Sequence, residues 1–348
     1  MNGINIKGKH YIDCILDSKL PVLIYGMGNG ADKVIDLFNK SNIPILGVTA
    51  SDDFIRGQTF RGYTVTRLSE FKEEFILAPA FGTSVPDVME RIESLNDKYN
   101  MIYPAVPVIG NEIADDRFFD KYSDRINKVF SLLNTESRKV FLGYLQFIYT
   151  GDLNFLFDIA SDKKLIFNNF LRLGGSGVYI DIGAYKGDTI KEYLEYTGGK
   201  YEEIIAIEPD NKNFSKLSNA FADYKNISLI NKVCSDITGE VLFGSAGGRQ
   251  SSVNPNGTLT PSITVDEAAP DKNVTYIKID AEGEETRIIK GAENTIKRCK
   301  PKLNIALYHR FSDIFEIPLR IAEINPEYRF EIRHHPYIPA WDTNLYCV

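Results

Sequence analysis

The sequence predicts an α/β fold in two parts, a small strand–helix domain and then a larger parallel sheet ending on an antiparallel edge hairpin. Three observations predict it. Apolar, β-branched strands alternate with helical periodicity both before residue 110 and after residue 177. A strand runs through a glycine turn into a helix twice, near residues 22–38 and 178–192. The chain closes with two strand-like runs, 328–333 and 343–348, that have no helical pattern between them, which favours an antiparallel pair.

Bulk properties narrow the classes. A chain of 348 residues is long enough for two domains, and 43% hydrophobic content is enough for ordinary cores. A formal charge of −7 argues against a non-specific nucleic-acid binder, which needs a basic face. No run of 18 apolar residues occurs, so no membrane span is expected. The first ten residues lack the apolar stretch of a secretory signal. Cys14, Cys234, Cys299 and Cys347 lie far apart, without the spacing of metal-binding pairs. These features read as a cytoplasmic protein with reduced thiols.

Residues 1–110 read as a first, Rossmann-like α/β domain. Its strands are expected at 22–25, 43–48 and 75–79, with helices after Gly30 and over about 85–98. The turn from Gly26 through Gly28 to Gly30 suits a nucleotide or sugar-nucleotide, with Asp52 and Asp53 as ribose acids. Glycines that serve only packing are the other reading. Residues 111–175 read as a helical connector, charged and aromatic, with periodicity in 118–122 and 140–148. Its aromatics suit core packing better than a substrate cap.

Residues 176–348 read as the second domain. Its strands are expected at 178–182, 204–208, 227–234, 274–280 and 303–308, with hairpins over 239–265 and the closing pair beyond. The first strand ends in Asp181-x-Gly183-x-x-x-Gly187, and Thr189 with Glu192 has capping-box spacing for the helix that follows. Such a turn is expected to offer free backbone N–H groups to a ligand. A dinucleotide pyrophosphate would be repelled by Asp181, whereas a cationic ammonium would be attracted. S-adenosyl-L-methionine carries an ammonium and a sulfonium. Glu208 ends the next strand, 21 residues after Gly187, where a carboxylate can accept hydrogen bonds from both ribose hydroxyls.

The strand at 274–280 alternates. Ile277, Ile279 and Ala281 take one face, while Lys278, Asp280 and Glu282 take the other and point toward a crevice at the carboxyl end. His309 follows the next strand and should sit beside them.

With these stretches in view, the chain resembles the FkbM family of S-adenosylmethionine-dependent methyltransferases. The matching runs are 179–189, Ile207-Glu-Pro-Asp210, 277–284 with Lys290-Gly-Ala292, and Lys300-Pro-Lys302 leading to Leu307-Tyr-His309. They cover about residues 135–348. The resemblance implies a seven-stranded Rossmann-like methyltransferase sandwich and methylation of a hydroxyl on a sugar, glycan precursor or natural-product scaffold. It places Asp181, Gly183, Ala184 and Gly187 in the methionine-binding turn, Glu208 at the ribose and Asp236 near the adenine.

For the chemistry, His309 ranks first as general base, because an unperturbed imidazole titrates nearest neutral pH. Asp280 and Glu282 then orient the acceptor or that base, with Lys278 paired to one of them. The loop 247–252 would cover the acceptor side. Asp280, Glu282 and His309 are metal-capable donors, but no diagnostic spacing supports a metal, and none is expected. Two rival readings are a non-catalytic sensor of S-adenosylmethionine or a sugar-nucleotide, and a nicotinamide oxidoreductase.

Overall fold

The computed structural model describes residues 4, 6–244, 252–253 and 257–348. They divide into two compact units. Unit 1 takes residues 1–127, 138–161 and 334–342, and unit 2 takes 128–137, 162–333 and 343–348. The boundaries expected at 110 and 175 do not coincide with this division. Helices Asp116–Leu132 and Thr135–Thr150 each contribute to both units, and a late segment returns to unit 1.

Unit 1 holds a three-stranded parallel sheet. Strand β1 (Val22–Tyr25) lies between β2 (Ile45–Thr49) and a third strand that comes after a short antiparallel hairpin. The hairpin is β3 (Thr59–Phe60) with β4 (Tyr63–Thr64), and the third strand is β5 (Ile76–Pro79). β1 is buried along its length, as its four consecutive apolar residues require. Helix Asn29–Lys40 packs Val34, Ile35 and Phe38 inward, the helical spacing seen in the sequence.

Unit 2 is built on a seven-stranded sheet. Its strands enter as β6 (Val178–Ile182), β7 (Glu203–Ile207) and β8 (Ile227–Ile230). A smaller sheet interrupts, made of β9 (Val233–Cys234), β10 (Gly239–Gly244), β11 (Ser252–Val253) and β12 (Thr258–Ile263). The large sheet resumes with β13 (Val274–Ile279), β14 (Lys302–Ala306), β15 (Phe330–His334) and β16 (Thr343–Cys347). Its order is β15-β16-β14-β13-β6-β7-β8. Successive strands from β6 fill one side, and the chain then returns to fill the other. β6 and β13 therefore flank the point where strand order reverses, and the crevice outside their carboxyl ends is where such sheets bind ligands. β16 runs antiparallel to β14, and Arg329 and Val348 exchange reciprocal backbone hydrogen bonds, the pattern of the expected closing hairpin.

Two local expectations are corrected. The run 227–234 is two strands in different sheets. The Asn231 amide donates to the carbonyls of Glu208 (2.9 Å) and Pro209 (3.2 Å), drawing the chain away from the β7 ladder before β9 joins β12. Thr189 is not a helix cap. The helix Asp188–Tyr196 begins after Gly187, whose φ of +85° suits glycine, and the Thr189 hydroxyl donates instead to Asp181. Residues 247–251 of the loop expected over the acceptor side lie outside the described residues, and Ser252 begins β11.

Candidate active site

The glycine turn after β6 is closed by the protein itself. The N–H groups of Gly183 and Ala184 donate to the Ile207 carbonyl (3.0 and 3.2 Å), and that of Gly187 to the Ala184 carbonyl (2.8 Å). The N–H of Tyr185 donates to Glu208 Oε2 (2.8 Å). At Gly183, Ala184, Tyr185 and Gly187 the amides are therefore not free, being taken by Ile207, Glu208 and the turn's own Ala184. Gly183 has φ +74°, and a Cβ there would lie 1.9 Å from the Asp280 carbonyl oxygen. It is the point where the ends of β6 and β13 touch.

Glu208 is a preset carboxylate. Oε2 accepts from Tyr185 and Oε1 from the Asp210 N–H (3.0 Å), so its plane is fixed from both sides. Burial pushes its pKa up, partly countered by those two amides. Asp210 caps helix Asn211–Ala220 by accepting from the N–H groups of Lys212 and Asn213. That fixes the backbone onto which Glu208 folds.

Asp181 pairs in register with Lys278 across β6 and β13. It is wholly buried, and Lys278 Nζ lies 3.9 Å from Oδ1 and 3.6 Å from Asp280 Oδ2. Burial raises the Asp181 pKa against the pull of Lys278 and Thr189. Oδ1 has no hydrogen-bond partner among the described residues, while Oδ2 accepts from Thr189. For Lys278, burial opposes the charge, yet Asp280 and Asp181 outweigh it and raise the pKa. The expected pairing of Lys278 is present, with both acids at once.

His309 is surrounded by carboxylates. Nε2 is 3.6 Å from Asp280 Oδ1 and 3.5 Å from Glu282 Oε2, and Nδ1 is 3.0 Å from Glu285 Oε1. These are ion-pair distances off the line of a hydrogen bond, and the ring is fully buried. Burial alone would lower its pKa, but Glu285, Glu282 and Asp280 overcome that and hold it well above 6.5. The premise that ranked His309 first, an unperturbed imidazole, therefore fails.

The carboxylates differ. Asp280 is about a third exposed and accepts from the Tyr308 hydroxyl (2.9 Å). Burial opposes its charge, but Lys278, His309 and Tyr308 bring its pKa below the usual range. Glu282 sits at φ +50°, a strained position for a non-glycine residue, which turns its carboxylate toward His309. Glu285, absent from the expected site, is buried and accepts from the N–H groups of Ala281 (2.8 Å) and Gly283 (3.3 Å). The signal for it was present, since it follows Glu284 in the same acidic run. An acid in the first turn of helix Glu285–Gly291 reads by default as a dipole partner.

Asp236 stands apart from this cluster. Arg287 (2.8 Å) and Lys290 (3.0 Å) pair with it. Burial opposes its charge, but those two cations prevail and lower its pKa. Its carboxylate is thus already engaged by the helix after β13.

Residues 181–338 match the sequence profile of the Methyltransferase FkbM domain. The matched stretch falls mostly in unit 2 and is similar to an FkbM methyltransferase domain. The match begins at Asp181 and takes in the whole acid cluster. Among curated proteins no sequence matches the chain. Among solved structures, the fold is similar to methyltransferase FkbM from Methylobacillus flagellatus KT, with a TM-score of 0.76, 19% identity and coverage of 97% of this chain and 93% of that one. Fibrillarin from Aeropyrum pernix, solved with bound S-adenosyl-L-methionine, aligns at a TM-score of 0.33 and 13% identity, over 51% of this chain and 68% of that one. The precorrin-6y C5,15-methyltransferase from Geobacter metallireducens GS-15 aligns at 0.32 and 13%, over 55% and 93%. Among the described residues, no helix is long and apolar enough to cross a membrane.

Proposed function

We propose that the FkbM-like domain transfers a methyl group from S-adenosyl-L-methionine to a hydroxyl of a sugar, glycan precursor or natural-product scaffold. The observation that carries this reading is the pair of acids at the ends of β6 and β7. Glu208, at the end of β7, is held by two backbone amides, and Asp181 keeps one buried oxygen that has the Lys278 ammonium at 3.9 Å and no hydrogen-bond partner among the described residues. Both fit a cofactor with a diol at one end and an ammonium at the other. When bound, that cofactor supplies an electrophilic methyl on a sulfonium.

The remaining chemistry belongs to the acceptor. A hydroxyl becomes a good nucleophile as its proton leaves, and a positioned base contributes about 10²–10⁴-fold. Glu282 is the residue we assign to that proton. It is partly exposed, so it can reach an acceptor, and the buried imidazole 3.5 Å away fixes its direction. Asp280, about a third exposed and fixed by Tyr308 and Lys278, orients the acceptor. Lys278 holds Asp181 and Asp280 at a set separation.

The test is transfer of labelled methyl groups from S-adenosyl-L-methionine to a panel of hydroxyl compounds, followed by location of the label. The expected product is a methyl ether, and Glu282→Gln should slow a single turnover by about 10²–10⁴-fold. Label found on nitrogen, sulfur or carbon, or a Glu282→Gln rate equal to wild type, would overturn the assignment.

A further inference from the structure

We infer that Asp280, Glu285 and His309 form a site for a divalent transition-metal ion. One donor atom from each lies within 4.8 Å of the others, a span that one ion can bridge with small side-chain rotations. They come from three places, the end of β13, the first turn of helix Glu285–Gly291 and the segment after β14. The sequence therefore shows no ligand spacing.

An acidic cluster alone would not make a site, since acids gather at many surfaces. Here the second observation is the imidazole. His309 is fully buried, and neither ring nitrogen makes a hydrogen bond, although carboxylate oxygens stand 3.0–3.6 Å from them. Glu285 is also buried, and its Oε2 has no hydrogen-bond partner. Buried polar atoms are normally hydrogen-bonded, whereas here Nδ1 has Glu285 Oε1 at 3.0 Å and Nε2 has Asp280 Oδ1 at 3.6 Å without a hydrogen bond to either.

The donors set the class of ion. One imidazole with two carboxylates suits manganese, iron or zinc better than magnesium or calcium, which favour all-oxygen sets. Asp280 supplies the open side, being about a third exposed, while His309 and Glu285 lie at the buried end. Backbone amides of Ala281 and Gly283 hold Glu285, and the Tyr308 hydroxyl holds Asp280. Metal ligands are commonly oriented by such outer hydrogen bonds. In the proposed reaction, on which this role alone rests, the ion would polarise the acceptor hydroxyl beside Glu282.

Binding is testable without turnover. Mn²⁺ is titrated into the full chain and its free concentration followed by electron paramagnetic resonance. One saturable site per chain is expected. Asp280→Asn, Glu285→Gln and His309→Gln should each weaken it at least about 10-fold, by the scale of ligand-shell losses. Glu327→Gln, at an exposed acid paired to Lys300, should leave it unchanged. Absence of a saturable site, or equal affinity in all four variants, overturns the inference. Should the ligand variants not fold, wild-type protein still decides it. Bound Mn²⁺ should broaden the ring signals of one of the four histidines, and broadening of none or of all overturns the site.

Discussion

The two glycine turns look alike in sequence and differ in what surrounds them. In unit 1, β1 runs through Gly26, Gly28 and Gly30 into a helix, and Gly26 and Gly30 answer to packing. A Cβ on Gly26 would lie 2.8 Å from the Phe81 ring, and one on Gly30 would lie 2.5 Å from the Ala80 carbonyl. Asp52 and Asp53, read as ribose acids, lie exposed in a short 3-10 turn. Lys33 spends its ammonium on the carbonyls of Pro107 and Val108. In unit 2 the turn is enclosed by Asp181, Glu208, Lys278 and Asp280, all at strand ends. Buried charge is costly unless matched, so its concentration at one turn is the more informative sign. Glycine spacing reports chain geometry, and strand-end charge reports chemistry.

The sharpest way to break this comparison is at the glycines. Gly183→Ala should destabilise unit 2 by more than about 3 kcal/mol, because a backbone carbonyl blocks the new methyl and φ is positive. Gly28→Ala in unit 1 should be within about 0.5 kcal/mol of wild type, since nothing lies within 4 Å and its φ of 160° is extended backbone. Urea melts of the two proteins check both. Equal losses would mean that the two turns are under the same constraint.

Next come the acids. Glu208→Ala should weaken S-adenosylhomocysteine binding by about 1.5–3 kcal/mol, the value of hydrogen bonds to a charged group. Asp52→Ala should leave it unchanged. Calorimetric titration distinguishes them, and an effect confined to Asp52→Ala would move the cofactor to unit 1.

The smallest effect concerns Glu284. Burial pushes its pKa up to about 7, against Arg287 and Arg310. Its folded value exceeds the unfolded one, so the stability it gives below about pH 4.5 is lost as pH rises through 7. Glu284→Gln, which stays neutral, should therefore be more stable than wild type at pH 8, by roughly 1–2 kcal/mol. The gap should close below about pH 4.5. Thermal melts across that range check the sign, and a Glu284→Gln protein less stable at pH 8 would show a paired charge instead.

The sheet was legible in the sequence because its strands are apolar and separated by glycine turns. Asp181, Glu208, Asp280, Glu282 and His309 were legible because charge at a strand end conflicts with the apolar run before it. Three things were not. Glu285 is hidden because a first-turn acid suits any helix. The state of His309 depends on three carboxylates that the fold gathers from separate positions. The split of 227–234 depends on an asparagine that hydrogen-bonds to a neighbouring strand's end, which no local periodicity records.

The segment 334–342 has a consequence of its own. It belongs to unit 1, and within that unit Thr83 and Ile338 exchange backbone hydrogen bonds while Trp341 packs on Gly82. The strands on either side of it, β15 and β16, pair in the sheet of unit 2. No single cut in the backbone releases unit 1 as a whole cassette. A truncation that removes residues before 111 strips Ile338 and Trp341 of their partners and leaves apolar surface behind, and a truncation that removes the C-terminus damages both units at once. For genetic exchange, the natural unit of replacement is the whole chain.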